Sequence, residues 1–128
     1  IIRKVKIKKI KIASRSLKYD FNLVKKMIKD NKSKNFIISL GMWNKKEVPF
    51  KNKNIKYLWC CSKYPAFDDD LKNFPKKFDD KKYYGYSDHA IGIETCLLAI
   101  SRGAEIIEKH FTLDKSDNTI RDHALSEI

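Results

Sequence analysis

Tyr84 to Phe111, YGYSDHAIGIETCLLAISRGAEIIEKHF, constrains the fold of this chain more than any other stretch. It reads as a strand, an amphipathic helix and a second strand. Each strand ends in a histidine, His89 and His110. Side chains alternate along a strand, so Gly85, Ser87 and His89 share one face, and Ile106, Glu108 and His110 share another. Between them, Ile91 to Ser101 carries Ile93, Cys96, Leu97 and Ile100 at helical spacing, and Gly103 is a C-terminal stop. A strand, a crossover helix and a parallel strand bring both histidines to the same edge of one sheet. Two imidazoles, a carboxylate and a hydroxyl then meet at the carboxyl ends of neighbouring strands, where α/β sheets bind ligands.

The rest of the chain fits that frame. Ile10–Ala13 reads as a short strand ending at Ser14. Leu17–Lys29 reads as one helix, with Leu17, Phe21, Val24, Met27 and Ile28 on its apolar face and Asp20 as an early-turn acid. Asn35–Leu40 is a buried-type strand and Ile55–Cys61 another. Met42–Asn54 offers one or two helical turns at Asn44–Val48, and Asp68–Phe74 a short helix stopped by Pro75. Ile1–Lys9 is basic and reads as the tail of a helix. Five strands alternating with helical segments argue a parallel sheet with right-handed crossovers. The chain lacks both dinucleotide and P-loop glycine patterns. A complete (β/α) barrel takes about 250 residues, so the expectation for 128 residues is an α/β fold forming part of a TIM barrel. Ile1 stands where a complete chain would carry Met, and a piece of a longer protein is expected.

Composition excludes some functions. Lys+Arg 28 against Asp+Glu 16 gives a net charge of +12, but the lysines are spread along the whole chain, and no aromatic–basic motif supports nucleic-acid binding. The excess suits a small anionic substrate. Cys60, Cys61 and Cys96 form an odd set without CxxC, which argues against a disulfide framework or zinc knuckle and for a reducing, cytoplasmic setting. No apolar run is long enough to span a membrane. Taken singly, a strand-end histidine is ordinarily a hydrogen-bonded structural residue, Lys11 a solvated charge, and Ser14, Ser62 and Ser87 turn or cap residues.

In order along the chain stand KIAS (11–14), ISLGM (38–42), CCSKYP (60–65), GYSDHAIGIE (85–94), IIEKHFTLDK (106–115) and RDHALS (121–126). Together these resemble the N-acetylneuraminate (sialic acid) synthase family, whose members include synthases of legionaminic and pseudaminic acids. The resemblance implies strands four to eight of a TIM barrel, with the first three βα units and a C-terminal antifreeze-like domain absent. It implies condensation of phosphoenolpyruvate with an N-acetylated hexosamine such as N-acetylmannosamine, releasing phosphate. A divalent metal, manganese or magnesium, would be bound by His89 and His110. Lys11, Ser14 and Ser87 would contact phosphoenolpyruvate. Glu108, Tyr64 and Asp122 would lie around the sugar, with Ser62 in place of a family asparagine, and Glu108 and Lys11 would be catalytic.

The sequence departs from the family pattern at Ser16, where a glutamate is usual, at Ser62, at Leu40 for a threonine, and at Ile120-Arg121 for Gly-Pro. These changes bear on the sugar more than on the reaction. The full-length form is expected to be a homodimer, and the 128 residues alone to be inactive. The alternative is an inactive barrel remnant that binds a sugar or phosphate ligand.

Overall fold

The computed structural model describes residues 6–127. Five strands form one sheet in the order β1-β2-β3-β4-β5: β1 (Lys9–Ile12), β2 (Asn35–Ser39), β3 (Ile55–Cys60), β4 (Gly85–Asp88) and β5 (Ile106–Lys109). Every pair is parallel. The sheet curls into a half-barrel. Parallel neighbours in sequence order require each connection to cross the same face, which is how a barrel grows.

Strand alternation divides the side chains between two faces. Ile12, Ile38 and Tyr57 stand side by side in the register and face the helices. With Phe36, they pack against Leu17, Val24 and Ile28 to form the main core. The opposite face carries Lys11, Ile37 and Lys56 in one row, and Cys60, Ser87 and Glu108 in another nearer the carboxyl ends. The polar row is therefore what the strands offer to a ligand.

The helix expected over Leu17–Lys29 is two helices, α1 (Ser14–Tyr19) and α2 (Phe21–Asp30). They meet at Asp20, whose side chain makes no cap bond and whose carbonyl accepts from Val24. The break costs the core little, because Leu17 still packs with Val24 and Ile28. No helical turn forms at Asn44–Val48. Aromatic packing holds that segment instead. Trp43 and Phe50 both stack on Phe21, with ring centroids 5.8 and 5.4 Å away. The Tyr57 hydroxyl accepts from Phe50 N–H at 3.0 Å and donates to Phe50 C=O at 2.8 Å. Between Asp68 and Phe74 there is a single 3₁₀ turn, Asp68–Leu71. Residues 6–8 are not helical, and the first five lie outside the described residues.

The crossover helix α3 (Glu94–Ser101) is three residues shorter at its start than the spacing suggests. Its buried face is also different. Cys96 and Ala99 are buried, while Ile93, Leu97 and Ile100 are 53%, 56% and 53% exposed. Small residues let the helix sit close over Tyr86 and Asp88 of β4, which leaves the larger side chains outside. Gly103 ends the helix as expected. Its φ of +94° is open to glycine at little cost, and it lets Ala104 N–H reach Ala99 C=O at 2.9 Å. Among the described residues no helix is long and apolar enough to cross a membrane.

Candidate active site

At the carboxyl ends of the strands lies a cleft of about 240 Å³. Lys11 enters from β1, Ser39 from β2, Cys60 from β3, Ser87 from β4 and Glu108 from β5, while the histidines stand one residue beyond β4 and β5. Tyr64 comes in from the loop after β3, across a cis Tyr64–Pro65 bond. That loop is held to the end of β4, where Ala66 N–H donates to His89 C=O at 2.9 Å.

One carboxylate oxygen organises the floor. Glu108 Oε2 lies 2.9 Å from Lys11 Nζ and accepts from Ser87 Oγ at 2.6 Å and Ser39 Oγ at 3.4 Å. Burial pushes this carboxyl upward, but the bonds from Ser87 and Lys11 outweigh it and hold the group below the usual glutamate range. Glu108 is thus an anion at neutral pH. Beside it the Ser14 and Ser62 hydroxyls meet at 3.2 Å.

The imidazoles form the opposite wall, their ring centroids 5.7 Å apart. His89 Nδ1 lies 2.6 Å from Cys61 C=O. A carbonyl only accepts, so Nδ1 carries the proton and Nε2 is left with a lone pair. That lone pair faces the Tyr64 hydroxyl at 2.5 Å. His110 Nε2 reaches the same oxygen at 3.1 Å. Both Nε2 atoms therefore converge on one point. The Asp122 carboxylate stands 3.7 Å from His110 Nδ1. Burial holds His89 below the ordinary imidazole range, with the Cys61 carbonyl partly opposing it, so the ring is neutral at pH 7. Burial also pushes the Tyr64 phenol up to about 12, keeping it protonated.

Residues 1–127 match the NeuB family. The chain belongs to the NeuB family. It is 42% identical to the N,N'-diacetyllegionaminic acid synthase of Campylobacter jejuni, over 73% of this chain and 31% of that protein. It is 36% identical to an uncharacterized protein of Methanocaldococcus jannaschii, over 98% of this chain and 40% of that one. Among solved structures, the N-acetylneuraminic acid (sialic acid) synthetase of Leptospira borgpetersenii, in complex with citrate, superposes with a TM-score of 0.76. It is 31% identical and covers 97% of this chain and 46% of that one. The chain thus spans less than half the length of these relatives.

Within this NeuB half-barrel the sequence motifs meet in space. Lys11, Ser14, Tyr64, Ser87, His89, Glu108 and His110 line the same cleft. Ser62 joins it through Ser14 and Asp122 through His110. His123 is not part of it: its ring bonds Thr112 Oγ1 at 2.7 Å and stands 3.6 Å from Asp117. Sequence reasoning missed Ser39 and Cys60, which line the cleft, and the bonding of Asp88 and Lys109. The signal for Ser39 lay in strand parity, since it leads the SLGM segment on the inward face.

Cys60 is buried, and loss of solvent pushes its thiol up to about 11. Cys96 is likewise pushed up, to about 12, by burial and by its bond to Asp88. The thiolate attacks and the thiol does not. Iodoacetamide at pH 7.5 is expected to label half-buried Cys61 at least about tenfold faster than Cys60 or Cys96. Peptide mass spectrometry reads the order, and Cys60 labelled first would contradict this burial.

Proposed function

We propose that the full-length protein is a nonulosonic (sialic-type) acid synthase. It would condense phosphoenolpyruvate with an open-chain N-acetylated hexosamine, such as N-acetylmannosamine, and release phosphate. The observation that carries the reading is the convergence of both Nε2 atoms on one oxygen, beside a lysine–carboxylate–serine cluster.

The two imidazoles fit a divalent metal, manganese or magnesium. His89 presents an Nε2 lone pair because Nδ1–H is given to a backbone carbonyl, the usual support for a metal-ligating histidine; that lone pair now accepts from the Tyr64 hydroxyl, which an ion would displace. Asp122 stands where it can play that part for His110. Among the described residues no group of three His, Cys, Asp or Glu side chains could hold an ion. A metal held by His89 and His110 alone would take its remaining ligands from substrate oxygen and water. When bound, the metal would supply a Lewis acid toward the sugar aldehyde.

The chain's own residues do the rest. Lys11, with the Ser14, Ser62 and Ser87 hydroxyls, offers an ammonium and short donors to the phosphate and carboxylate of phosphoenolpyruvate. The ammonium now rests on Glu108, and an incoming dianion would compete for it. The enol carbon of phosphoenolpyruvate forms the new bond to the aldehyde carbon, the C=O π pair moves to the aldehyde oxygen, and that oxygen takes up a proton to become a hydroxyl, balanced by the proton the water gives up. Water adds to the cationic centre left behind, and phosphate leaves with the electron pair of its bond to that carbon. Glu108, ionised and two residues from His110, is placed to orient that water and accept its proton. Tyr64 and Asp122 face the sugar side. Ser16, on α1, replaces a glutamate that would recognise sugar hydroxyls, so an altered acceptor is expected.

The test is phosphate release by the full-length protein from phosphoenolpyruvate, N-acetylmannosamine or related N-acetylated hexosamines, and Mn²⁺. Lys11→Met should lower kcat/KM about 100-fold or more. The 128 residues alone should release none, because five strands supply only one side of the cleft. No release by the full-length protein with any such hexosamine would leave the alternative, a barrel that binds a sugar or phosphate without turnover.

A further inference from the structure

At the edge of the cleft, with side chains turned toward α3 on the helix-facing side of the same two strands, Asp88 and Lys109 are register partners. Each immediately precedes a histidine. Asp88 is 1% exposed. Its Oδ1 accepts from Tyr86 OH at 2.6 Å and Ala90 N–H at 2.9 Å. Its Oδ2 accepts from Thr95 Oγ1 at 3.0 Å, Cys96 Sγ at 3.0 Å and Lys109 Nζ at 2.9 Å. Lys109 Nζ also donates to Ala90 C=O at 2.7 Å.

A buried ion pair gains little over an apolar pair of the same shape, because both charges lose their water. Stability is therefore a weak reason for it. A fully bonded buried network does fix geometry. Here the fixed object is the backbone around His89. The Asp88 carboxylate closes onto Ala90 N–H, Lys109 holds Ala90 C=O, and Ala66 N–H holds His89 C=O. Lys109 is itself the residue in front of His110, so its bonds to Asp88 and Ala90 join the two histidine-bearing strand ends.

We propose that Asp88 and Lys109 are positioning residues that set the spacing and ring orientation of the two histidines from the far side of the sheet. The proposal rests on the two-histidine metal reading. The pair acts through backbone and needs no contact with substrate.

The test uses the full-length protein and the double variant Asp88→Asn/Lys109→Met, which removes both charges and leaves neither unpaired. Asp88→Asn alone, nearly the same shape, serves should the double variant fail to fold. Calorimetric titration with Mn²⁺ should show binding weakened 10- to 100-fold in the double variant and at least about threefold in Asp88→Asn, with native circular dichroism. Without metal, ¹⁵N spectra of the imidazoles should show His89 as a single Nδ1–H tautomer in the wild type and as a mixture in the variants. A folded variant with wild-type Mn²⁺ affinity and an unchanged tautomer overturns the proposal. Should the wild type bind no Mn²⁺, the metal reading fails, and the tautomer comparison still decides whether the pair orients His89.

Discussion

His89→Ala and His110→Ala in the full-length protein should each weaken Mn²⁺ binding by about 100-fold or more, and phosphate release should fall with it. The size of the effect follows from the small number of ligands. Both Nε2 atoms aim at one point, the Tyr64 hydroxyl, and among the described residues no third His, Cys, Asp or Glu completes a metal-binding group with them. Losing either ring leaves a single imidazole, which holds a hard divalent ion poorly. Neither ring belongs to the apolar core, so the variants should melt near the wild type. Titration calorimetry with melting curves on the same samples checks both halves. Tight Mn²⁺ binding by both folded variants would show that the ion sits elsewhere.

Gly85→Ala should be the most damaging small change in the sheet. A methyl group there would lie 2.1 Å from the carbonyl oxygen of Ile106 and 2.8 Å from its carbonyl carbon. Both atoms are backbone of the neighbouring strand, so no side chain can swing away. Relief requires parting β4 from β5, the two strands that carry the histidines. Overpacking typically costs about 1–3 kcal/mol, and a clash with backbone puts Gly85→Ala at the upper end, a fall in Tm of several degrees. Gly41→Ala is the contrast. Its nearest atom is the Ser62 hydroxyl, which can turn, and its one backbone clash is milder, the Cys60 carbonyl oxygen at 2.9 Å, so a smaller loss of stability is expected beside damage to the cleft. Thermal melts of both variants read the difference, and a Gly85→Ala protein with an unchanged Tm would contradict the strand packing described here.

The strands and their order were legible because the signals are local and repeated. NFIISL and IKYLWCC are short apolar runs, and alternation in GYSDH and IIEKH assigns faces without any tertiary knowledge. The same alternation foretold that Glu108 and Lys109 would part company, Glu108 pairing with Lys11 and Lys109 with Asp88. What did not show was decided by partners distant in sequence. The break at Asp20 leaves no periodicity error, because Leu17 and Val24 reach the core from either helix. The 42–54 segment looked weakly helical, but stacking of Trp43 and Phe50 on Phe21 prevails over propensity. On α3 the larger apolar residues marked the wrong face, since Cys96 and Ala99 allow the close approach to β4 that Leu97 would block. Ser62, a turn residue by its local sequence and a site residue only by the family resemblance, lies 3.2 Å from the hydroxyl of Ser14, 48 positions earlier. Asp88 was hidden for a related reason: its five donors come from strand, loop and helix.

The most direct measurement is pulsed electron paramagnetic resonance of Mn²⁺ added to full-length protein carrying ¹⁵N-labelled histidine. Hyperfine coupling to two imidazole nitrogens is expected in the wild type and to one in His89→Ala or His110→Ala. Bound Mn²⁺ that couples to no histidine nitrogen, or that keeps its two couplings after either substitution, would contradict the site.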